Sequence, residues 1–428
     1  MSSNKSLTPE QQTAITRLVE HDETILVAGT GVGKTVIALT AIQEMIATSD
    51  VERVIVAAPA KVLATGVWTK EVEKWPHLKG LKVVQLLGTG AHREATLEAN
   101  QDAQVWVISL NSLNWLLFRQ PHNAQGIIID ELSKAAGKQT KRMKSEKYAG
   151  KLWWRVGMTA TPVSQNFEKL YAMCRIIDRG AALGTNKLNF MNRYFFPDYN
   201  GHDWTLKDGA DAQLTAQVAP LVHVVPDNKA ASLPPLQTRE TRFEMSASSR
   251  GVYDEMRKHM VVGDVEAANQ AVKSGKLRQI ASGFMYDDDG EPVRIDNDRL
   301  NAAANWWNYL AGEPGFIFYE FTEQLEQLQA VVPANVKLAQ ITSMSHGVDG
   351  LQHRYNKVLF YQPHWSRDVT EQAIGRFWRQ GQAKPVEVTT LICDATLDDV
   401  VVARVEGNAR WMETFVKHLA GDKNENVG

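Results

Sequence analysis

A glycine-rich turn near the amino terminus has the residue types and the spacing that bind a triphosphate. This phosphate loop consists of Ala28, Gly29, Thr30, Gly31, Val32, Gly33, Lys34 and Thr35. Apolar runs at residues 25–27 and 36–39 flank it, which predicts a buried strand, a turn and a helix. Glycines let the backbone approach phosphates, and the helix start presents unpaired N–H groups to them. Lys34 can reach the β- and γ-phosphates, and the Thr35 hydroxyl can ligate Mg²⁺.

Two adjacent carboxylates follow a second apolar run. Residues 127–129 are isoleucines, and Asp130 and Glu131 come directly after them. Asp130 is placed to hold the Mg²⁺ shared with Thr35, and Glu131 to orient or deprotonate an attacking water. Such a pair is common after strands. The intact phosphate loop upstream is what indicates that this pair belongs to a nucleotide site. The prediction is a site for ATP and Mg²⁺ that hydrolyses the nucleotide.

A third group of chemistry-bearing residues lies far downstream. Gln372, Arg376 and Arg379 stand in the spacing Q-x-x-G-R-x-x-R-x-G-Q. On a helix the two arginines, three positions apart, would share one face. Two guanidinium groups there could clamp a transferring γ-phosphoryl group, a contribution of roughly 10³–10⁵ in rate. Because these residues are distant from Lys34 in sequence, we expect ATP to lie in a cleft between two domains, with hydrolysis coupled to closure.

The elements that must position these residues form two alternating patterns of strands and helices. Continuous apolar strands separated by helices predict parallel sheets covered on both faces, with ligands at the carboxyl ends of the strands. The first pattern has predicted strands at residues 25–27, 54–58, 105–108, 127–129 and 154–158. The second has predicted strands at residues 316–319, 338–341, 358–361 and 386–391. The fold class is therefore α/β with two sheets.

The predicted domain boundaries follow the breaks in these patterns. A stretch with proline and glycine breakers at residues 178–228 is interpreted as a helical excursion on the first domain. The consecutive prolines Pro234 and Pro235 mark a hinge or linker. We predict a first domain at 1–228, a linker and helical region at 229–300, a second domain at 301–420 and a flexible tail at 421–428.

Composition limits the class of protein. The 428 residues suffice for two or three domains, and 44% apolar with 22% charged residues is ordinary for a globular chain. A net charge of −2 restricts any nucleic-acid contact to a local patch. The two cysteines, Cys174 and Cys393, lack metal-binding spacing and fit a reducing compartment. With no apolar leader and no membrane-length run, we expect a cytoplasmic protein with no membrane partner.

Taken together, the motifs resemble those of the Swi/Snf-like branch of superfamily-two helicases, from about Leu7 to about Asp399. The phosphate loop matches that superfamily's variant A-x-x-G-x-G-K-T. The resemblance implies two RecA-like lobes with ATP between them, and it nominates Gln11 as the residue that reads adenine. The compact form is similar to bacterial or bacteriophage members, so a bacterial cell or a phage-infected host is the expected setting.

Other segments are similar to the family's nucleic-acid and coupling motifs. The segment 54–75 resembles a motif that touches one DNA strand, and Ser109 lies where the next belongs. The segment 157–162 resembles the one that links ATP to DNA, which assigns that role to Thr159 and Thr161. Residues 346–352 resemble motif V. Asp130, Glu131, Leu132 and Ser133 depart from many relatives, which have histidine where this chain has Ser133.

The resemblance implies a DNA-dependent ATPase that steps along duplex DNA and remodels protein–DNA complexes. Two alternatives stay open: a strand-separating DNA or RNA helicase, and an ATP-gated nucleic-acid clamp with little turnover. We expect a monomer in solution, with targeting that either comes from a protein partner or is absent. Among the 12 tryptophans, Trp68, Trp75, Trp153 and Trp154 are expected to pack rather than to stack on bases, whereas Trp365 and Trp378 flank the arginines and are expected to position them.

One basic segment is a candidate contact for DNA phosphates, although a solvated loop explains it equally well. It contains Lys134, Lys138, Lys141, Arg142, Lys144, Lys147 and Lys151.

Overall fold

The computed structural model covers most of the chain and divides into two compact units. The described residues are 6–29, 31–48, 51–118, 123–136, 152–160, 167–197, 204–226, 233–262, 265–266, 270–343, 350–403 and 405–406. One unit lies within residues 1–227 and the other within residues 228–407. Each is described by itself.

The first unit is built on a seven-stranded sheet whose strands all pair in parallel. Its spatial order is β3-β4-β2-β5-β6-β1-β9. The strands are β1 (Glu23–Ala28), β2 (Val54–Ala58), β3 (Val83–Leu86), β4 (Val105–Ser109), β5 (Gly126–Asp130), β6 (Trp154–Thr159) and β9 (Val222–Val225). The strands that end in the phosphate loop, the acidic pair and Thr159 are thus β1, β5 and β6, with β6 between the other two.

Both faces of this sheet are buried. Successive side chains of a strand point to opposite sides, so each strand contributes to a hydrophobic core on either face. Ile25 and Val27 of β1 belong to one hydrophobic core and Leu26 and Ala28 to another. Helices supply the rest of both cores. They are α1 (Pro9–Glu20), α2 (Lys34–Thr48), α3 (Ala60–Ala64), α4 (Val67–Lys74), α5 (Gly90–Ala99), α6 (Leu113–Phe118), α7 (Leu132–Ala135) and α8 (Phe167–Ile177).

The predicted helical excursion at residues 178–228 is only partly helical. It holds α9 (Lys187–Tyr194) and α10 (Ala210–Val218), with a small antiparallel pair of β7 (Phe195–Pro197) and β8 (Trp204–Leu206) between them. The chain then returns to the sheet as β9, which pairs with β1. The excursion therefore ends as an edge strand beside the strand that carries the phosphate loop.

The second unit has a five-stranded parallel sheet in the order β10-β18-β17-β15-β16. Its strands are β10 (Leu236–Phe243), β15 (Gly315–Tyr319), β16 (Val336–Gln340), β17 (Lys357–Phe360) and β18 (Val386–Cys393). Four of them lie where the apolar runs predict. The fifth, β10, lies inside the predicted linker and helical region and pairs along its whole length with β18.

Helices and two small antiparallel pairs complete the second unit. Its α-helices include α11 (Ala247–His259), α12 (Gln270–Ile280), α13 (Asp298–Tyr309), α14 (Thr322–Gln329) and α15 (Arg367–Ile374). The pairs join β11 (Val261–Val262) to β12 (Val265–Glu266), and β13 (Phe284–Tyr286) to β14 (Pro292–Arg294). The predicted α/β class with parallel sheets and helical insertions is confirmed. No helix among the described residues is long and apolar enough to cross a membrane.

Candidate nucleotide site and arginine turn

The phosphate loop leaves β1 and enters α2 through glycines with left-handed backbone conformation. Gly31 has φ 78° and Gly33 has φ 95°, values that residues with a β-carbon rarely adopt. At Gly33 there is also no room, because a β-carbon would lie 2.6 Å from Nε2 of Gln11. Helix α2 begins immediately afterwards at Lys34. Thr30 lies outside the described residues.

Gln11 connects the first helix to this loop. Thr8 caps α1, and its backbone N–H donates to Oε1 of Gln11 at 3.0 Å while Gln11 N donates to Oγ1 of Thr8 at 3.3 Å. The amide of Gln11 then donates from Nε2 to the carbonyl of Val32 at 2.8 Å. The residue nominated to read adenine is therefore held against the loop that would hold the phosphates.

Lys34 is half-buried and bonded to the start of the loop. Its Nζ donates to the carbonyl of Ala28 at 2.9 Å and to that of Gly29 at 3.3 Å. These carbonyls neutralise no charge, so an anionic phosphate would be a stronger partner for the ammonium group. The side chain thus lies inside the loop's own curve, in reach of any phosphate that binds there.

Asp130 ends β5 with only 9% of its surface exposed. Burial, together with the neighbouring Glu131 carboxylate, raises the pKa of Asp130 to about 6, and the charge of Lys34 partly opposes this rise. The effect of Lys34 means that the residue from the loop and the residue from β5 influence one another. A buried carboxylate with a raised pKa gains most from a cation.

Glu131 follows in a left-handed conformation, with φ 57° and ψ 55°, which is unfavourable for this side chain. The conformation redirects the chain into α7, whose Leu132 packs on β6. A β-carbon at Gly157 would lie 2.3 Å from Cδ2 of Leu132, so only glycine permits this contact. The strained position therefore belongs to the residue predicted to act on water.

The donor set suits magnesium. Thr35 contributes a hydroxyl oxygen and Asp130 a carboxylate oxygen, and Mg²⁺ prefers oxygen ligands and is commonly held by one or two protein groups together with phosphates. Within the described part of the chain there is no group of three or more histidine, cysteine or acidic residues that could hold a metal by themselves. The site thus fits a metal that arrives with its nucleotide.

The coupling residues expected on the sequence are only partly visible. Thr159 is fully buried at the end of β6, opposite Val27 in the pairing with β1. Ser133 is also buried, in α7. Thr161 and residues 346–349 of the segment similar to motif V lie outside the described residues. So does the basic segment, apart from Lys134.

The predicted DNA-strand contacts lie at the same edge of the first sheet, where β2 and β4 end. Pro59 precedes α3, and the hydroxyl of Ser109 accepts from Ser112 N at 3.2 Å. Trp68, Trp75 and Trp154 are buried in the core, as expected for packing residues. The indole groups of the last two donate to Glu71 Oε1 and to the carbonyl of Leu18, both at 2.8 Å. Trp153 packs against the same core.

In the second unit the two arginines lie beyond the end of the regular helix. Helix α15 contains Gln372 but ends at Ile374, and residues 375–382, here called the arginine turn, are non-helical. Short-range bonds shape the turn: Arg376 N donates to Ala373 O at 3.2 Å, and Gln382 N to Arg379 O at 3.0 Å. Arg376 and Arg379 are both half-buried. Because the regular helix ends before both arginines, their three-residue spacing does not show that the two side chains lie on one face.

Three side chains of the arginine turn anchor it to the second unit. Phe377 is fully buried among Phe316 and Phe318. Gln382 is buried and donates from Nε2 to the carbonyls of Tyr355 at 3.1 Å and Phe377 at 3.2 Å. Trp378 donates from Nε1 to the carbonyl of Pro234 at 2.7 Å. The turn is therefore held by these contacts together with its own backbone bonds, which include an α-type bond from Trp378 N to Ile374 O at 3.0 Å.

A buried polar network precedes α15, and the sequence interpretation missed most of it. Arg278 of α12 makes two bonds to Glu320, at 2.6 and 2.8 Å, and one to the carbonyl of Pro363 at 2.7 Å. Gln362 donates to Oε2 of Glu320 at 3.1 Å, and the Arg278 guanidinium lies 5.9 Å from the ring of Trp365. The available signal was that Glu320 and Gln362 directly follow the ends of two strands.

Three comparisons show which known proteins this chain is similar to. Residues 8–170 match the model of the DEAD/DEAH box helicase family. The chain is 27% identical to protein p41 of Acyrthosiphon pisum secondary endosymbiont phage 1, over 92% of this chain and 95% of that protein. A solved structure, the Sulfolobus solfataricus SWI2/SNF2 ATPase core in complex with dsDNA, aligns over 97% of this chain and 94% of its own, with 16% identity and a TM-score of 0.46.

The family match spans Gln11, the phosphate loop, the acidic pair and Thr159, which are the residues that the first unit brings to one edge of its sheet. Residues 8–170 are therefore similar to the DEAD/DEAH box helicase family, and this match bears out the resemblance to superfamily-two helicases recognised in the sequence.

Proposed function

We propose that this protein is a DNA-dependent ATPase that moves along double-stranded DNA and remodels protein–DNA complexes. A helicase domain of this family uses ATP, and the single observation that carries the ATPase part of the proposal is the convergence of Lys34 and Asp130 at one edge of the first sheet. The two side chains come from β1's loop and from β5, and their electrostatic influence on one another is that of partners in a single nucleotide site.

Each residue has a role in this proposal. Gln11 reads adenine, and the backbone of residues 28–33 cradles the phosphates. Lys34 binds the terminal phosphates, while Thr35 and Asp130 hold Mg²⁺, which neutralises phosphate charge when bound. Glu131 positions and deprotonates the attacking water.

Residues of the second unit complete hydrolysis. Arg376 and Arg379 stabilise the charge that develops on the transferring phosphoryl group, and Gln372 assists from α15. A guanidinium suits this task because it is always charged and presents several donors in a fixed plane. Thr159 and Thr161 transmit the state of the nucleotide to DNA. The choice of duplex DNA rests on the resemblance of the motif series, together with Ser109 and the segment 54–75.

Steady-state ATP hydrolysis tests the proposal, measured with no nucleic acid, with duplex DNA, with single-stranded DNA and with RNA. The expected result is strong stimulation by duplex DNA that disappears in K34A. Stimulation only by single strands or RNA would replace the proposal with a strand-separating helicase, which a forked-duplex unwinding assay would establish. Tight ATP binding without turnover on any nucleic acid would instead indicate an ATP-gated clamp.

A further inference from the structure

The non-helical arginine turn raises the question of what sets the direction of its two arginines. A regular helix would orient both through its backbone bonds, but α15 ends at Ile374, before either of them, and the α-type bond from Trp378 N to Ile374 O at 3.0 Å stops short of Arg379. Trp378 lies between Arg376 and Arg379 in sequence, and it is half-buried against the core that contains Phe377. Its indole N–H is directed to a segment almost 150 residues away, the Leu-Pro-Pro element at residues 233–235.

The acceptor of this bond belongs to an unusually stiff piece of backbone. Proline restricts its own φ angle and the conformation of the residue before it, so Pro234 is restricted both by its own ring and by Pro235. The next carbonyl, of Pro235, accepts from Val386 N at 2.9 Å at the start of the pairing between β10 and β18. The carbonyl of Pro234 is thus a fixed point of the second unit.

We propose that Trp378 is a positioning residue that holds Arg376 and Arg379 in their working orientation through its bond to Pro234. The bond also ties the arginine turn to the segment by which the chain enters the second unit, so a change in that segment moves the arginines. This inference rests on the proposed function, since it assigns the bond a role in ATP hydrolysis.

The test compares W378F with the wild-type protein in the ATPase assay with duplex DNA. Phenylalanine keeps an aromatic ring at this position but removes the N–H donor together with part of the ring volume, so a control with the same loss of volume is required. Loss of one buried hydrogen bond predicts a fall in kcat of about fivefold, with the KM for ATP changed less than about twofold, because the arginines act on the transition state. W307F is the matched control, since Trp307 is also half-buried in the second unit but packs on a different core.

A second variant separates this bond from general packing. P234A keeps the carbonyl but frees its backbone, and it is expected to lower kcat by about twofold, again without a comparable rise in KM. If both changes act through one bond, W378F/P234A will be no slower than W378F alone. Multiplying effects, or a kcat of W378F equal to that of W307F, would overturn the proposal.

Hydrogen exchange decides the same question without any activity. The backbone N–H groups of Arg376 and Gln382 that close the arginine turn should exchange about fivefold faster in W378F than in W307F. Unchanged exchange would refute the positioning role. A wild-type protein that hydrolyses no ATP on any nucleic acid would refute the proposed function instead, and the exchange measurement would still decide whether Trp378 holds the turn.

Discussion

The phosphate loop and the arginine turn carry complementary chemistry but are held in different ways. The phosphate loop joins β1 to α2, and its conformation follows from regular elements on both sides and from glycines at 31 and 33. The arginine turn begins where a helix has ended and is held by contacts of Phe377, Trp378 and Gln382 to distant parts of its unit. A local pattern therefore suffices to predict the first shape, whereas the second depends on tertiary contacts.

The nucleotide site and the arginine turn also differ in backbone strain. At the nucleotide site an unfavourable conformation lies at Glu131, and a raised pKa lies next to it at Asp130. In the arginine turn the left-handed position is Gly381, where no side chain is strained. The proposed base is thus one of the strained positions of its unit, whereas the arginine turn has no strained side chain.

The largest expected effect is the loss of one arginine. R379A should lower kcat by about 10³-fold or more with little change in the KM for ATP, because its charge acts on the transferring phosphoryl group. K34A should impair both parameters, since Lys34 also holds the bound nucleotide. Steady-state kinetics with duplex DNA measures both. A large rise in the KM of R379A, with kcat unchanged, would show that the arginine turn binds the nucleotide in the ground state. The arginine turn and the phosphate loop would then not differ in their roles.

Alanine at one glycine of each region sharpens the comparison directly. G33A and G381A both place a β-carbon at φ 95°, which costs roughly 1–2 kcal/mol. At Gly33 the new atom also displaces Gln11, so kcat/KM for ATP should fall by about 10- to 100-fold. At Gly381 it also meets a side-chain end, Cε1 of His353 at 2.7 Å, but His353 has no proposed role at the nucleotide, so we expect lower thermal stability with a loss of activity below about tenfold. Equal kinetic losses would contradict this distinction.

Asn at position 130 should stabilise the nucleotide-free protein. An Asp pKa of about 6 in the folded state exceeds the unfolded value of about 3.9, so the folded state binds more protons between these values. Stability from this group is therefore present at low pH and is lost as pH rises through about 6. D130N removes this pH-dependent loss of stability, so it should raise the free energy of unfolding by at most about 3 kcal/mol above pH 6. Thermal unfolding in EDTA from pH 4.5 to 8 should show the difference growing to a plateau, together with loss of ATPase activity.

The smallest effect concerns the conformation of Glu131. Asparagine tolerates the left-handed region better than other residues with a β-carbon, so E131N should raise the free energy of unfolding by about 0.5–1 kcal/mol. E131Q keeps the conformational penalty and serves as the control, with no such gain. Denaturant unfolding measures the difference. Both variants should lose hydrolysis, and a stabilised E131Q would show that charge rather than backbone strain is responsible.

Much of the fold was predictable because its central strands are apolar on both faces. Residues 54–58 form a strand with the predicted bounds, and the other eight predicted strands agree within two residues at each end. In the two large sheets the strands missed were β3, β9 and β10, all at sheet edges, and the short strands of the three antiparallel pairs were missed as well. Six of the eight residues of β10 are exposed, so it lacks the apolar signal, and its pairing with β18 becomes visible only in the folded sheet.

The phosphate loop was predictable from the sequence by itself, because a strand, glycines, a lysine and a threonine in consecutive order form such a loop by local geometry alone. The same holds for the acidic pair, which an isoleucine strand delivers to the sheet edge. Tertiary structure alone decided that Lys34 acts on Asp130, that Glu131 is strained, and that Trp378 fastens the arginine turn to Pro234. Those relations join residues about 100 or more apart or depend on packing, and no local pattern can encode them.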